Sequence, residues 1–367
     1  MKYIKPLDSI RAIAVFLVII WHWLPRHSIN KFPNGSTGVV IFFVLSGFLI
    51  TRILLEGSDT AERTGIGRKV FFKNFYARRS LRIFPIYYLL VIPFFLYAIF
   101  THQKFHEYYY LLTYTSNFYF FSVESWMENF SHTWSLAVEE QFYLVWPFIV
   151  LFINRRYLLT CILTFISIGI ITEWIFDNSF GLFLPFTCFD SLGMGALLAW
   201  VAVYRRAFLK KFYKITGVIS IAFVSLLYFE IHVWNSFIIP FRIQISVISL
   251  GVISYLVYTG YNHIKLPSLL NFILNNNLLV SFGKISYGVY LYHTFIPGIV
   301  WQNIEGAVYN HLPLLIKSHF AFFFFAFNFI ILLIISMLSW QLIEKPILSL
   351  KKYFGYKQAA THVPTAI

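Results

Sequence analysis

A chain of 367 residues that is 59% hydrophobic and only 12% charged, with a mean hydropathy of +0.70, has too little polar surface to cover a soluble globule. The composition predicts an all-α, polytopic membrane protein. The net charge of +14 is read as a topology signal carried by loops, not as a nucleic-acid footprint.

Ten segments are long enough, at roughly 17 to 25 residues each, to cross a hydrocarbon core. They lie near 7–24, 36–55, 84–101, 134–153, 157–175, 186–204, 215–231, 240–259, 278–299 and 318–343. The first has no small-residue cleavage site and further apolar segments follow it, so it reads as a retained span and not a signal peptide. An even number of spans puts both termini on one side. The loop 56–83 and its flanks carry Arg52, Arg63, Arg68, Lys69, Lys73, Arg78, Arg79 and Arg82, and later loops on that side add Arg155, Arg156, Arg205, Arg206, Lys210, Lys211 and Lys214. The opposite loops hold Arg26, Lys31, Lys104 and Lys317, so both termini are expected in the cytoplasm.

Span one, "LDSIRAIAVFLVIIWHW", carries Arg11 and His22 eleven residues apart. On a helix that is about 16 Å along the axis and about 20° in rotation, so the two share a face. Arg11 should lie near the inner boundary and His22 near the outer one. An ionisable side chain within a membrane is a functional-site hypothesis by default. The structural alternatives are snorkelling or pairing with Asp8 for Arg11, and a hydrogen bond to a neighbouring helix for His22.

The third span is preceded by "ARRSLRIFPIYY", which sets Arg79 and Arg82 three residues apart on one face at the inner boundary. A basic flank is commonly a topology determinant, but paired arginines also clasp a diphosphate through bidentate, charge-assisted hydrogen bonds. The outer segment 102–133 is rich in Tyr and Phe; such rings stack on sugars, and interfacial aromatic belts look the same.

Span four, "SHTWSLAVEEQFYLVWP", enters from outside and places Glu139 and Glu140 a turn or two down, at the expected depth of His22. Adjacent carboxylates point about 100° apart, so one can face the protein centre while the other meets a partner. Asp190 in span six and His293 in "SYGVYLYH" of span nine also fall in the outer half. Each has a structural alternative as an inter-helix hydrogen bond. Cys161 and Cys188 follow no metal-ligand spacing and read as core packing. Residues 1–350 are expected to form one membrane domain, followed by a short, loose basic tail, 351–367.

At these residues the chain resembles the acyltransferase-3 family of integral membrane acyltransferases. The resemblance runs from about Lys5 to about Leu350. It rests on Arg11 with His22, "GSTGVVIFFVLSGFLIT", Arg79 with Arg82, "HTWSLAVEEQFYLVWP", "FDSLGMGALLAW", "ISYGVYLYH" and the closing "EKP", in that order. It implies a multi-pass protein of a bacterial inner membrane that transfers an acyl group, most often acetyl, from cytoplasmic acyl-CoA to a hydroxyl of an extracytoplasmic glycan. Acetyl-CoA would be a co-substrate, with no resident cofactor and no metal.

In that reading Arg79, Arg82 and Arg11 bind the donor phosphates, and the pantetheine arm spans the distance to His22. His22, oriented by Glu139 or Glu140, is the general base, or alternatively the nucleophile of an acyl-histidine. His293, Asp190, Trp134 and Tyr287 are acceptor-binding or supporting residues. Two departures stand out. Val40 occupies a position where many relatives are polar or acidic, and the chain is expected to be a stand-alone membrane domain without a fused hydrolase-like domain. A secondary transporter or a glycan flippase would also carry intramembrane Arg, His and Glu.

Overall fold

The computed structural model describes residues 2–24, 32–65, 67–102, 105–176, 180–298 and 320–355. Among them, nine helices are long and apolar enough to cross a membrane, and the chain is a polytopic, all-helical membrane protein. In chain order they begin with α1 (Pro6–Trp23), α2 (Asn34–Thr64) and α3 (Arg68–Phe100). Two short helices, α4 (Glu107–Leu112) and α5 (Ser116–Val123), precede α6 (Thr133–Phe152), α7 (Arg155–Ile175) and α8 (Phe189–Tyr204). Then follow α9 (Leu209–Phe229), α10 (Phe241–Asn262) and the short α11 (Ser268–Leu274), α12 (Asn277–Lys284) and α13 (Ser286–Tyr292). The last long helix, α14 (Phe320–Ser339), continues through a π-helical turn, Trp340–Glu344, into the short α15 (Lys345–Ser349).

The expected ninth span, 278–299, is not one helix. It bends at Ile285, where φ −91° and ψ 3° leave the helical region, and so divides into α12 and α13. An apolar run of spanning length cannot show such a bend, because length counts residues and not their backbone angles. α2 and α3 extend well beyond the expected spans. In particular α3 begins sixteen residues before the apolar run does, so Arg78, Arg79 and Arg82 are part of the helix itself and not of a flanking loop.

α2 and α8 form the centre: about 72% of each apolar window is buried, against 22% for α7, α9 and α14, which face outward. Glycines permit this. A Cβ on Gly47 would fall 2.0 Å from the Leu192 carbonyl oxygen, and one on Gly195 would fall 2.1 Å from that of Val44. The two backbones therefore touch, as small residues allow between membrane helices. Val40 is fully buried on the far side of α2, against Leu227 and Ile245.

Contacts gather the basic loops at one end of the bundle. Lys2 donates to the Tyr261 carbonyl (3.0 Å), Arg52 to that of Lys2 (2.9 Å) and Arg206 to that of Tyr261 (3.3 Å). Asn74 donates to the carbonyl of Gly355 (2.8 Å) and Arg78 to that of Lys351 (2.9 Å). The start of the expected loose tail is thus held against α3, at the same end as the N-terminus. Residues 356–367, with Arg26, Lys31, Lys104 and Lys317, lie outside the described residues.

The aromatic segment before α6 is anchored too. Tyr87 and Tyr88 donate to the carbonyls of Leu111 and Leu112 (2.8 and 3.0 Å), and Trp126 packs on Phe180 and Phe183.

Candidate active site

Five helices meet around a partly open chamber. α1 contributes Arg11, α3 contributes Arg79 and Arg82, and α6 contributes Glu139, Glu140 and Tyr143. α2 adds Ser46, and α13 adds Tyr287 and Tyr290. Helical spacing explains the set: Glu139 and Tyr143 are one turn apart on α6, as are Arg79 and Arg82 on α3. Ser46 donates to Glu139 Oε1 (2.6 Å) and receives the Tyr143 hydroxyl (3.1 Å). The Arg79 guanidinium lies 3.8 Å from the centre of the Tyr143 ring, while its Nε is buried without a partner among the described residues. Tyr287 donates to the carbonyl of Ile83 (3.2 Å), tying α13 to α3.

His22 sits apart from this chamber. Glu139 and Glu140 lie about 10 Å down α6 from its first residue, whereas His22 is in the last turn of α1. The two carboxylates therefore face arginines, and the partner of His22 is a histidine. His22 Nδ1 is 3.2 Å from His293 Nε2 and 2.9 Å from the Val18 carbonyl oxygen.

The hydrogen bonds fix the tautomers. His293 Nδ1 faces the Tyr290 carbonyl at 2.6 Å, so it carries the proton and donates it. His293 Nε2 is then an acceptor, and His22 Nδ1–H is shared between it and the nearer Val18 carbonyl oxygen. That leaves the lone pair of neutral His22 on Nε2, on an exposed side chain and without a partner among the described residues. Trp23 Nε1 donates to the His293 carbonyl (2.9 Å) and pins the pair.

A third histidine completes the cluster. His132 lies just before α6, its ring centre 5.1 Å from that of His293. Thr294 Oγ1 donates to the Asn129 carbonyl (2.6 Å), so it accepts from His132 Nδ1 (3.1 Å), and His132 Nε2 is buried without a partner among the described residues. Burial first, and then the neighbouring His22, pushes the His132 imidazole down to about 3, so it stays neutral at physiological pH. Between chamber and histidines stand Tyr290 and Ser135, their hydroxyls 2.5 Å apart.

Asp190 belongs to neither group. It is buried between α8 and α10, accepting from Ser246 (2.6 Å), beside Arg242. Arg242 donates to the carbonyl of Leu182 and to Cys188 Sγ (2.8 Å), and lies 4.0 Å from Glu173. Cys188 is thus an acceptor and not packing alone. Trp134 links this cluster to the chamber, with Arg242 5.9 Å from its ring and Phe43, a chamber residue, at 6.0 Å.

Sequence reasoning missed Ser46, His132, Tyr143, Tyr290 and Arg242. Arg242 was open to the same argument as Arg11, a cation inside an apolar run. His132 stood in plain view beside Trp134. Ser46, Tyr143 and Tyr290 gave no signal, since Ser and Tyr are ordinary in membrane helices.

Residues 4–343 match a family profile described as an acyltransferase domain. The chain is 28% identical to the peptidoglycan O-acetyltransferase OatA of Listeria monocytogenes, over 94% of this chain and 56% of that protein. It is 27% identical to the O-acetyltransferase OatA of Staphylococcus aureus, over 94% of this chain and 57% of that protein. The chain therefore spans little more than half the length of these relatives. No solved structure matches it.

Proposed function

The chain belongs to the acyltransferase-3 family, and from that premise we propose that it transfers an acetyl group from acetyl-CoA, entering at the basic end, to a hydroxyl of a cell-envelope glycan on the opposite side. The name of the Listeria relative favours peptidoglycan as the acceptor. One observation carries the reading. The chamber with arginines from two different helices ends at Tyr290, whose carbonyl holds the histidine that holds His22.

The donor phosphates lie on Arg79 and Arg82, with Arg11 deeper, and the pantetheine arm runs through the chamber toward Ser135 and Tyr290. Glu139 and Glu140 offset the charge of the arginines and keep Arg79 and Ser46 in place. At the far end His22 Nε2 takes the proton of the acceptor hydroxyl as its oxygen attacks the thioester carbonyl. The C–O bond forms, the C–S bond breaks, and the proton passes from His22 to the departing thiolate. His293 holds the tautomer that leaves Nε2 basic, a role of the kind second partners of catalytic histidines play.

Reconstituted protein supplied with radiolabelled acetyl-CoA and envelope glycan should release free coenzyme A and label the glycan. An intact thioester after prolonged incubation would count against acyl transfer and favour a transport function.

A further inference from the structure

Beside the chamber, toward the basic end, lies a second cavity. Arg78, Arg79, Arg82 and Lys351 line it over apolar residues that include Ile50 and Phe75, and among the described residues no carboxylate does. Glu344 stands close enough to Arg82 to offset part of its charge. Four cations thus face one space, an arrangement suited to a ligand that carries several negative charges.

Ile50, Arg79 and Arg82 line both cavities, whereas Arg78 and Lys351 line the second one alone. Lys351 is delivered by the turn Leu350–Tyr353. That turn is anchored through main-chain oxygens, by Arg78 on Lys351 O (2.9 Å) and Asn74 on Gly355 O (2.8 Å). The anchor makes no use of the Lys351 ammonium, which the same contacts leave at the cavity wall.

We infer that Lys351 is a further donor-binding residue, contacting the phosphate monoester on the ribose of coenzyme A. The inference rests on the proposal that acyl-CoA enters through the chamber, and follows from the order of groups in that molecule. The pantetheine arm leaves from the diphosphate, so with the arm in the chamber the diphosphate lies at the shared arginines. The ribose and its monoester then lie at the second cavity, whose cations not shared with the chamber are Lys351 and Arg78, and the Arg78 guanidinium is engaged by the carbonyls of Lys351 and Phe354. The C-terminal turn is thereby part of the donor site.

The test compares binding of coenzyme A and of dephospho-coenzyme A, which lacks the monoester, to the full-length protein and to Lys351→Gln and Lys351→Arg. Thermal unfolding of each variant checks that it is folded. A charge-assisted contact is worth roughly a ten- to hundred-fold change in affinity. The parent should favour coenzyme A by about that factor, Lys351→Gln should lose the preference with its affinity for the dephospho form unchanged, and Lys351→Arg should keep it. Equal weakening toward both ligands, or no weakening, overturns the assignment. A parent that binds neither ligand overturns the donor reading itself, a result visible before any variant is made.

Discussion

The imidazoles of His22 and His293 meet at 3.2 Å, Nδ1 to Nε2, although 271 residues separate them in the chain. Because His293 Nδ1 is committed to the Tyr290 carbonyl, the direction of that contact is set: His22 donates, and its other nitrogen is left free to accept a proton. The carboxylates that sequence spacing offered as partners of His22 serve the arginines.

His22→Ala separates binding from chemistry. The phosphates are held about 16 Å away along α1, so coenzyme A affinity should be preserved, while transfer falls by the 10²- to 10⁴-fold characteristic of a lost general base. His293→Ala removes only the residue that orients the base, and should lower kcat by roughly ten-fold with the donor KM unchanged. Single-turnover acetyl transfer and equilibrium binding, measured on the same preparations, check both; near-parental transfer by His22→Ala would remove it from the mechanism.

Arg79→Ala and Arg82→Ala should weaken coenzyme A binding by roughly ten- to hundred-fold, since each loses a charge-assisted contact. Lys at either position restores charge without the planar fork and should recover part of the loss. At position 79 the recovery should be poorer, because the Arg79 guanidinium also packs on the Tyr143 ring at 3.8 Å. Titration calorimetry in detergent gives the comparison.

Gly195→Val should destabilise the bundle more than Gly217→Val. A side chain at 195 meets the Val44 carbonyl oxygen at 2.1 Å, whereas nothing lies within 4 Å of a Cβ at 217. Overpacking of this kind costs about 1–3 kcal/mol, read as a lower unfolding temperature for the 195 variant. Equal effects would show that α2 and α8 do not touch as described.

With Cys161 replaced by Ser, and Cys188 fully buried, single cysteines report sidedness. Lys210→Cys and Ser125→Cys are at exposed positions at opposite ends of the bundle. The first should react in intact cells only with reagents that cross the membrane, the second with impermeant ones. The reverse pattern would exchange the donor and acceptor faces.

The sequence by itself determined the class of the molecule, the approximate place of nine spans and the gathering of positive charge at one end. Those features follow from residue composition counted over windows of about twenty residues, which lipid thickness alone makes meaningful. It also singled out Arg11, Arg79, Arg82, His22 and His293, because an ionisable group in an apolar run stands out without any knowledge of its neighbours. Which of them meet was decided by tertiary packing. The bend at Ile285 and the glycine crossing of α2 on α8 set how the helices lie against one another, and with that sent Glu139 to Ser46 and His22 to His293. A helix fixes the angle between its own side chains, but not the rotation or depth of the helix beside it, and the partners of a polar group depend on both.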